Sequence, residues 1–326
     1  MTPIEISCAD GYILRGHLFE PAAPDGPAKG VVVIASATGV LSTYYHRYAA
    51  FLAGHGFTAI TFDYRGIGAS APESLKGFTV RWHDWGYRDI DAVLAWARTN
   101  HPGLPLHYVG HSFGGFGVGL ARESRHLTRI LTVGAQHAHW RDYAPGHRAG
   151  FLCRWHLAMP LAALRHGYFP GRQRGWLEDL PRGVALDWAR SRRDFTAVRQ
   201  REAGANMRRH QRELTAQILA VAATDDPFAT PRAMRRALAY TPNARHQLAR
   251  ISPQELDQPE LGHFALFHAR FADTFWVDTL AWLGGGLNPW AHPLESSPSA
   301  EPPDISTPAF CDRPHRPVTP NPALND

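Results

Sequence analysis

The run Tyr108-Val109-Gly110-His111-Ser112-Phe113-Gly114 places one serine between two glycines, directly after an apolar stretch and directly before a glycine-rich helical one. A serine on so sharp a strand-to-helix turn holds a strained backbone, and side chains two positions either side of it would collide with their neighbours. Glycine at 110 and 114 removes those side chains. The helix that begins near Phe113 then aims its first amide and its positive end at any negative oxygen forming beside Ser112. A chain built around this turn needs a strand ending below it and a helix leaving it, the repeating unit of an α/β sheet.

The rest of the chain repeats that unit. Val31 to Ala35, Thr58 to Phe62, Leu106 to Gly110, Ile130 to Ala135, Gln217 to Ala223 and His246 to Ile251 read as strands, the most apolar of them suited to burial on both faces. Helices are expected over Tyr44 to Ala53, Trp85 to Thr99, from Pro231 and over Phe267 to Leu283. Ile4 to Ser7 and Tyr12 to Glu20 flank a turn at Asp10 and Gly11, which predicts an antiparallel start. The expected fold is α/β, a mostly parallel sheet with helices on both faces.

Two segments break the rhythm. Residues 137–215 show no convincing strand, scatter tryptophans among arginines, and carry 15 arginines against 7 acidic residues. With the whole chain at +5, the remainder is therefore −3. This reads as a helical lid inserted between core segments 1–136 and 216–286. Residues 287–326 hold ten prolines and few large apolar side chains, and are expected to be disordered. The basic segment carries no helix-turn-helix, zinc-finger or RNA-recognition pattern, so no nucleic-acid partner is expected. Cys8, Cys153 and Cys311 are too scattered for a disulfide framework or zinc site. No stretch is apolar enough for a membrane span, and Met1 to Gly11 lacks a secretory pattern, so a cytoplasmic chain without membrane insertion is expected.

Serine is a weak nucleophile unless a base takes its proton and a third group orients that base. On this kind of turn the partners follow in the order Ser, acid, His. Asp225 and Asp226 follow the strand ending at Ala223, and Asp226, directly before Pro227, is the favoured acid, with Asp225 bracing the loop. His263, in the loop after the next strand, is favoured over His246 and His268 as the base. The amide of Phe113 is one expected oxyanion donor. A second is expected from Ala35 to Val40, with Thr38 first and Gly39 next. His111, Gly39, Trp155 and Met159 are expected to touch substrate, the last two from an apolar wall in Phe151 to Leu164. His137 and His139 form half of a metal-site pattern with no second half, so no metal and no organic cofactor are expected.

The elbow GHSFGG, the loop DYRGIGAS at Asp63 to Ser70, the acid turn TDDPF and the histidine loop LGHF together resemble the α/β-hydrolase superfamily. Within it, residues 1 to 284 are most similar to bacterial hydrolases of the serine aminopeptidase and monoacylglycerol lipase-like group. Many members carry His-Gly at the start of the oxyanion loop, where this chain has Ser36 and Ala37. The resemblance implies a lid folded over the nucleophile and hydrolysis of an ester or thioester of a small, apolar acyl substrate through an acyl-enzyme. An acyltransferase, a peptidase, or a non-catalytic homologue that only binds ligand are the alternatives. Asp63 and Arg65 are expected to brace their loop.

Overall fold

Every residue of Val31–Ala35, Thr58–Phe62 and Leu106–His111 is buried, so these strands need cover on both faces and belong in the middle of a sheet. The computed structural model describes residues 1–21, 28–190 and 192–290, and builds such a sheet. Its strands are β1 (Thr2–Ser7), β2 (Ile13–Phe19), β3 (Val31–Ala35), β4 (Thr58–Phe62), β5 (Leu106–His111) and β6 (Arg129–Val133). After a short separate pair, β7 (Tyr168–Phe169) and β8 (Leu180–Pro181), the sheet resumes with β9 (Gln217–Ala223) and β10 (Arg245–Ile251). The order is β1-β2-β4-β3-β5-β6-β9-β10. Within this eight-stranded sheet the β1–β2 and β2–β4 pairings are antiparallel and the others are parallel. This is the α/β-hydrolase architecture.

Strand alternation divides the core in two. Val31, Val33 and Ala35 point to one face with Ile60, Phe62 and Tyr108, while Val32 and Ile34 point to the other with Ala59, Val109 and Leu131. Helix α1 (His46–Gly54) covers the second face with Tyr48, Ala49 and Leu52. The short α2 (Trp82–Asp84) runs through a π-helical turn, Trp85–Ile90, into α3 (Asp91–Asn100), and α3 covers the first face together with α4 (Phe113–Gly117). Helices α5 (Pro145–Phe151), α6 (Met159–His166), α7 (Arg182–Arg190) and α8 (Arg201–Glu213) lie between β6 and β9. Met159, Val184, Trp188 and Met207 join them to the first-face core. Helix α9 (Pro231–Leu238) joins β9 to β10, and α10 (Phe275–Gly285) closes the second face with Trp276 and Trp282.

Three expectations are corrected. The last helix starts at Phe275, because His268 is extended (ψ 144°) and splits the stretch before it into two 3-10 turns, Ala265–Phe267 and Ala269–Phe271. The 137–215 segment does hold strand, the β7–β8 pair, formed after Gly167 (φ 81°) ends α6; two residues per strand are too few to leave a periodicity. Packing continues past Leu287, since Trp290 is buried and stacks on Phe275 at 5.2 Å. Residues 291–326 of the expected tail, Cys311 among them, lie outside the described residues.

Candidate active site

Ser112 follows β5 at φ 53° and ψ −120°, a conformation that costs a non-glycine residue on the order of 1–3 kcal/mol. The flanking glycines show what holds it there. A Cβ on Gly110 would lie 2.5 Å from the backbone of Gly115, and one on Gly114 would lie 2.4 Å from the carbonyl oxygen of Ala35. The first gap lets α4 fold back on its own strand; the second lets the elbow rest against the end of β3. Ser112 N–H donates to the Val133 carbonyl at 2.9 Å, anchoring the turn to β6. The loop after β3 is thus brought beside α4. The N–H groups of Phe113 and Thr38 have no acceptor among the described residues. Trp82 joins the two segments: its Nε1–H donates to Thr38 Oγ1 at 3.1 Å and its ring stacks on Phe113 at 4.8 Å. Gly39, at φ 70°, is roofed by the inserted segment, where a Cβ would lie 2.9 Å from Leu177 and Glu178 N–H donates to its carbonyl.

The two adjacent aspartates have separate tasks. Asp226 is buried and accepts His263 Nδ1–H at 2.7 Å on one oxygen, and Phe228 and Ala229 N–H at 2.8 and 3.0 Å on the other. Burial alone would raise its pKa, but His263 and the two amides outweigh burial and hold it below the ordinary carboxylate value. Asp225 instead accepts Leu261 and Gly262 N–H at 2.9 and 3.0 Å, bracing the histidine loop. Gly134 makes room for the imidazole, since a Cβ there would lie 3.0 Å from His263 Cε1. His246 pairs with Thr241, and His268 packs on Tyr44, both away from the elbow.

Ser112 and His263 share no hydrogen bond. The serine Oγ instead accepts from Gln136 Nε2 at 3.2 Å, and Gln136 Oε1 accepts the N–H of Ala138, itself at φ 56°. Sequence reading passed over Gln136; its only signal was its place just beyond β6, at the carboxyl ends of the strands where such sites gather.

His111, expected to touch substrate, is fully buried and has both ring nitrogens engaged. Nε2 pairs with the His263 carbonyl at 2.8 Å and Nδ1 with the Tyr45 hydroxyl at 2.7 Å, and that hydroxyl accepts Ala37 N–H at 3.0 Å. Burial, then the neighbouring His263, pushes its pKa down to about 3. His111 therefore ties the histidine loop to the oxyanion loop from behind. Asp63 and Arg65 hold their own loop: Asp63 accepts Ser42 and Ala69 N–H, and Arg65 pairs with Asp89 at 2.5 Å and Asp10 at 2.6 Å.

Trp155 and Met159, expected to touch substrate, are packed into the interior. Both are buried: Trp155 stacks on Trp188 at 4.8 Å and Met159 sits in the first-face core, because the face of this π-to-α helix that carries them turns inward, while Leu157, Leu161 and Leu164 on it stay exposed. Beside the elbow lies a cavity of about 720 Å³, bordered by Trp82, His137, Phe195 and a ring of arginines, and by neither Trp155 nor Met159. The His137 and His139 rings lie 6.4 Å apart, and among the described residues no group of three or more His, Cys, Asp or Glu is placed to hold a metal. No described helix is long and apolar enough to cross a membrane.

Residues 26–169 match the family model of the serine aminopeptidases, S33. A monoacylglycerol lipase of Mycolicibacterium smegmatis is 28% identical over 127 residues, 37% of this chain. This chain has the α/β-hydrolase fold and is similar to the monoacylglycerol lipase-like group. It spans 44% of the length of that curated relative. Among solved structures, a soluble variant of the monoglyceride lipase of Saccharomyces cerevisiae in complex with a substrate analogue superposes with a TM-score of 0.58 at 16% identity, covering 87% of this α/β-hydrolase and 96% of the yeast chain. An esterase of Pyrococcus furiosus superposes with a TM-score of 0.55 at 14% identity, over 86% and 90%. At these identities the superpositions establish the fold alone.

Proposed function

We propose that this α/β-hydrolase cleaves a carboxylic ester or thioester of a small molecule through an acyl-enzyme, with Ser112 as nucleophile, His263 as base and Asp226 as orienting acid. The observation that carries the reading is the Ser112 backbone held at φ 53° at the end of β5, beside a His263–Asp226 pair 2.7 Å apart. With Nδ1–H given to Asp226, His263 keeps Nε2 free to accept a proton. Rotation of Ser112 about χ1 carries its hydroxyl from Gln136 to that nitrogen. The Oγ–carbonyl bond forms as His263 takes the proton, and the N–H groups of Phe113 and Thr38 hold the tetrahedral oxyanion. His263 returns the proton to the departing alcohol or thiol as the carbonyl bond to it breaks. Water then attacks the acyl-enzyme, giving its proton to His263, and the acid leaves as Ser112 recovers its hydrogen. The 137–215 segment acts as the lid that bounds the substrate, consistent with Leu177 and Glu178 resting on Gly39.

A fluorophosphonate probe tests this. Labelling of the wild type and none of Ser112→Ala is expected; labelling that persists in Ser112→Ala would remove Ser112 from the chemistry. Product analysis in water against water plus an added alcohol separates hydrolysis from acyl transfer, and a peptide amide in place of the ester tests peptidase action.

A further inference from the structure

The 720 Å³ cavity beside the elbow is within the ordinary size range of a small-molecule site. Its lining is not ordinary: seven arginines and three aspartates give it a formal excess of four positive charges with no glutamate or lysine. The charges are unevenly matched. Arg81 and Arg190 share Asp187, and Arg88 pairs with Asp84 and Asp10. Arg182, Arg192 and Arg199 have no carboxylate partner among the described residues. A concave surface with unmatched guanidinium groups concentrates anions, and the planar fork of arginine fits two oxygens of a carboxylate or phosphate.

A second feature is a buried histidine in the lining. His137 borders the cavity at 2% exposure, and its Nε2 is buried with no partner among the described residues. A buried polar nitrogen left unpaired destabilises the fold, and a ligand atom bonded to it would recover that loss. His137 directly follows Gln136, whose amide reaches Ser112 Oγ. On the neighbouring wall, Trp82 reaches Thr38 and Phe113, the two oxyanion segments. Ser112, Asp226 and His263 do not line the cavity, whose Trp82 wall touches both segments beside Ser112.

We propose that this cavity binds an oxyanionic group, a carboxylate or phosphate, with Arg182, Arg192 and Arg199 supplying charge and His137 Nε2 a polar anchor. The group arrives as the anionic end of the substrate, which places the ester in the class that carries a negative terminus. That assignment rests on the ester-hydrolase reading above, whereas binding itself does not.

Calorimetry with phenyl phosphate and with glutarate, at low and high salt, tests binding without turnover. Saturable, salt-weakened binding of at least one probe is expected, weakened roughly ten-fold or more in Arg182→Gln/Arg199→Gln and largely kept in Arg182→Lys/Arg199→Lys. An unchanged thermal midpoint in the variants shows that their fold is intact; a lowered midpoint moves the comparison to each arginine replaced singly. No saturable binding to the wild type, or equal binding by the glutamine variant, overturns the proposal.

Kinetics with paired esters, identical except for a terminal carboxylate or its methyl amide, on the acyl or the alcohol arm, then locates the source. A higher kcat/KM for one of the anionic esters, erased by phenyl phosphate, supports the substrate. Binding without any such preference overturns the assignment to substrate and leaves a separate small anion as the occupant. Hydrolysis of neither ester alongside intact binding would sink the esterase reading and not the cavity.

Discussion

At the strand ends the two carboxylates and His111 are matched: Asp226 accepts three donors, Asp225 two, and both nitrogens of His111 are engaged. Beside them, the cavity keeps three arginines without carboxylates and a buried histidine nitrogen without a partner among the described residues. The matched region is organised before any ligand arrives, as transition-state stabilisation requires; the unmatched one is completed by its ligand. Substitutions at the strand ends should therefore act on rate, and substitutions around the cavity on affinity. The largest break in that division is Ser112→Ala, expected to lower ester turnover by as much as ~10⁶-fold while leaving calorimetric binding of phenyl phosphate intact. Loss of both together would show that the two regions are one.

The pair of aspartates sharpens the comparison within the matched region. Asp226→Asn removes the charge that orients His263 and is expected to cost about 10⁴-fold in kcat. Asp225→Asn weakens only two loop hydrogen bonds, so a loss near ten-fold, with a lowered melting temperature, is expected. Equal losses in steady-state kinetics would mean that the two acids are interchangeable and that the 2.7 Å pairing with His263 is not the one that matters.

What could be read from the sequence divides along the same line. The glycines at 110 and 114 answer to backbone clashes a few residues away, so their spacing carries the elbow openly. The acid and histidine loops follow strands whose apolar runs are plain. Gln136 has no such mark: its contact with Ser112 depends on the turn that Ala138 makes at φ 56°, a conformation no motif announces. His111 sits inside the motif, yet its two partners come from residues 66 and 152 positions away, so its inward direction was not visible. For Trp155 and Met159 the apolar stripe was legible, but which way it faced was set by packing on Trp188 and the sheet. The arginine excess was countable; that seven arginines of the whole chain ring one cavity was not.

Each region also holds a buried histidine that burial drives to a pKa of about 3, His111 next to His263 and Asp226, and His137 next to Arg236, His139 and Asp142. The unfolded chain takes up these protons near pH 6.5 and the folded chain does not, so their contribution to stability is complete above about 6.5 and shrinks as pH falls toward 3. From pH 6.5 to 5 the loss is about 2 kcal/mol for each. Urea titrations over that range should show a shallower acid dependence, by about one proton, in His111→Gln and in His137→Gln. Phenyl phosphate should flatten the His137 part alone, because an anion in the cavity favours the charged ring. A slope unmoved by either variant would place the acid sensitivity elsewhere.

The smallest expected effect tests whether matched bonds at a distance bear on rate at all. Tyr45 is fully buried, and its hydroxyl joins Ala37 N–H to His111, the residue that in turn holds the His263 carbonyl. Tyr45→Phe keeps the ring and its edge contact with Phe267 at 4.9 Å but leaves the Ala37 amide next to Thr38 without an acceptor. If that chain holds the oxyanion loop in register with His263, kcat should fall about ten-fold with KM little changed, since a displaced donor weakens the transition state more than the bound ester. The rate of fluorophosphonate labelling should fall in parallel. A lowered melting temperature with kcat unmoved would assign the hydroxyl to stability alone, and would mean that the Thr38 amide is held by Trp82 and the β3 backbone without help from behind.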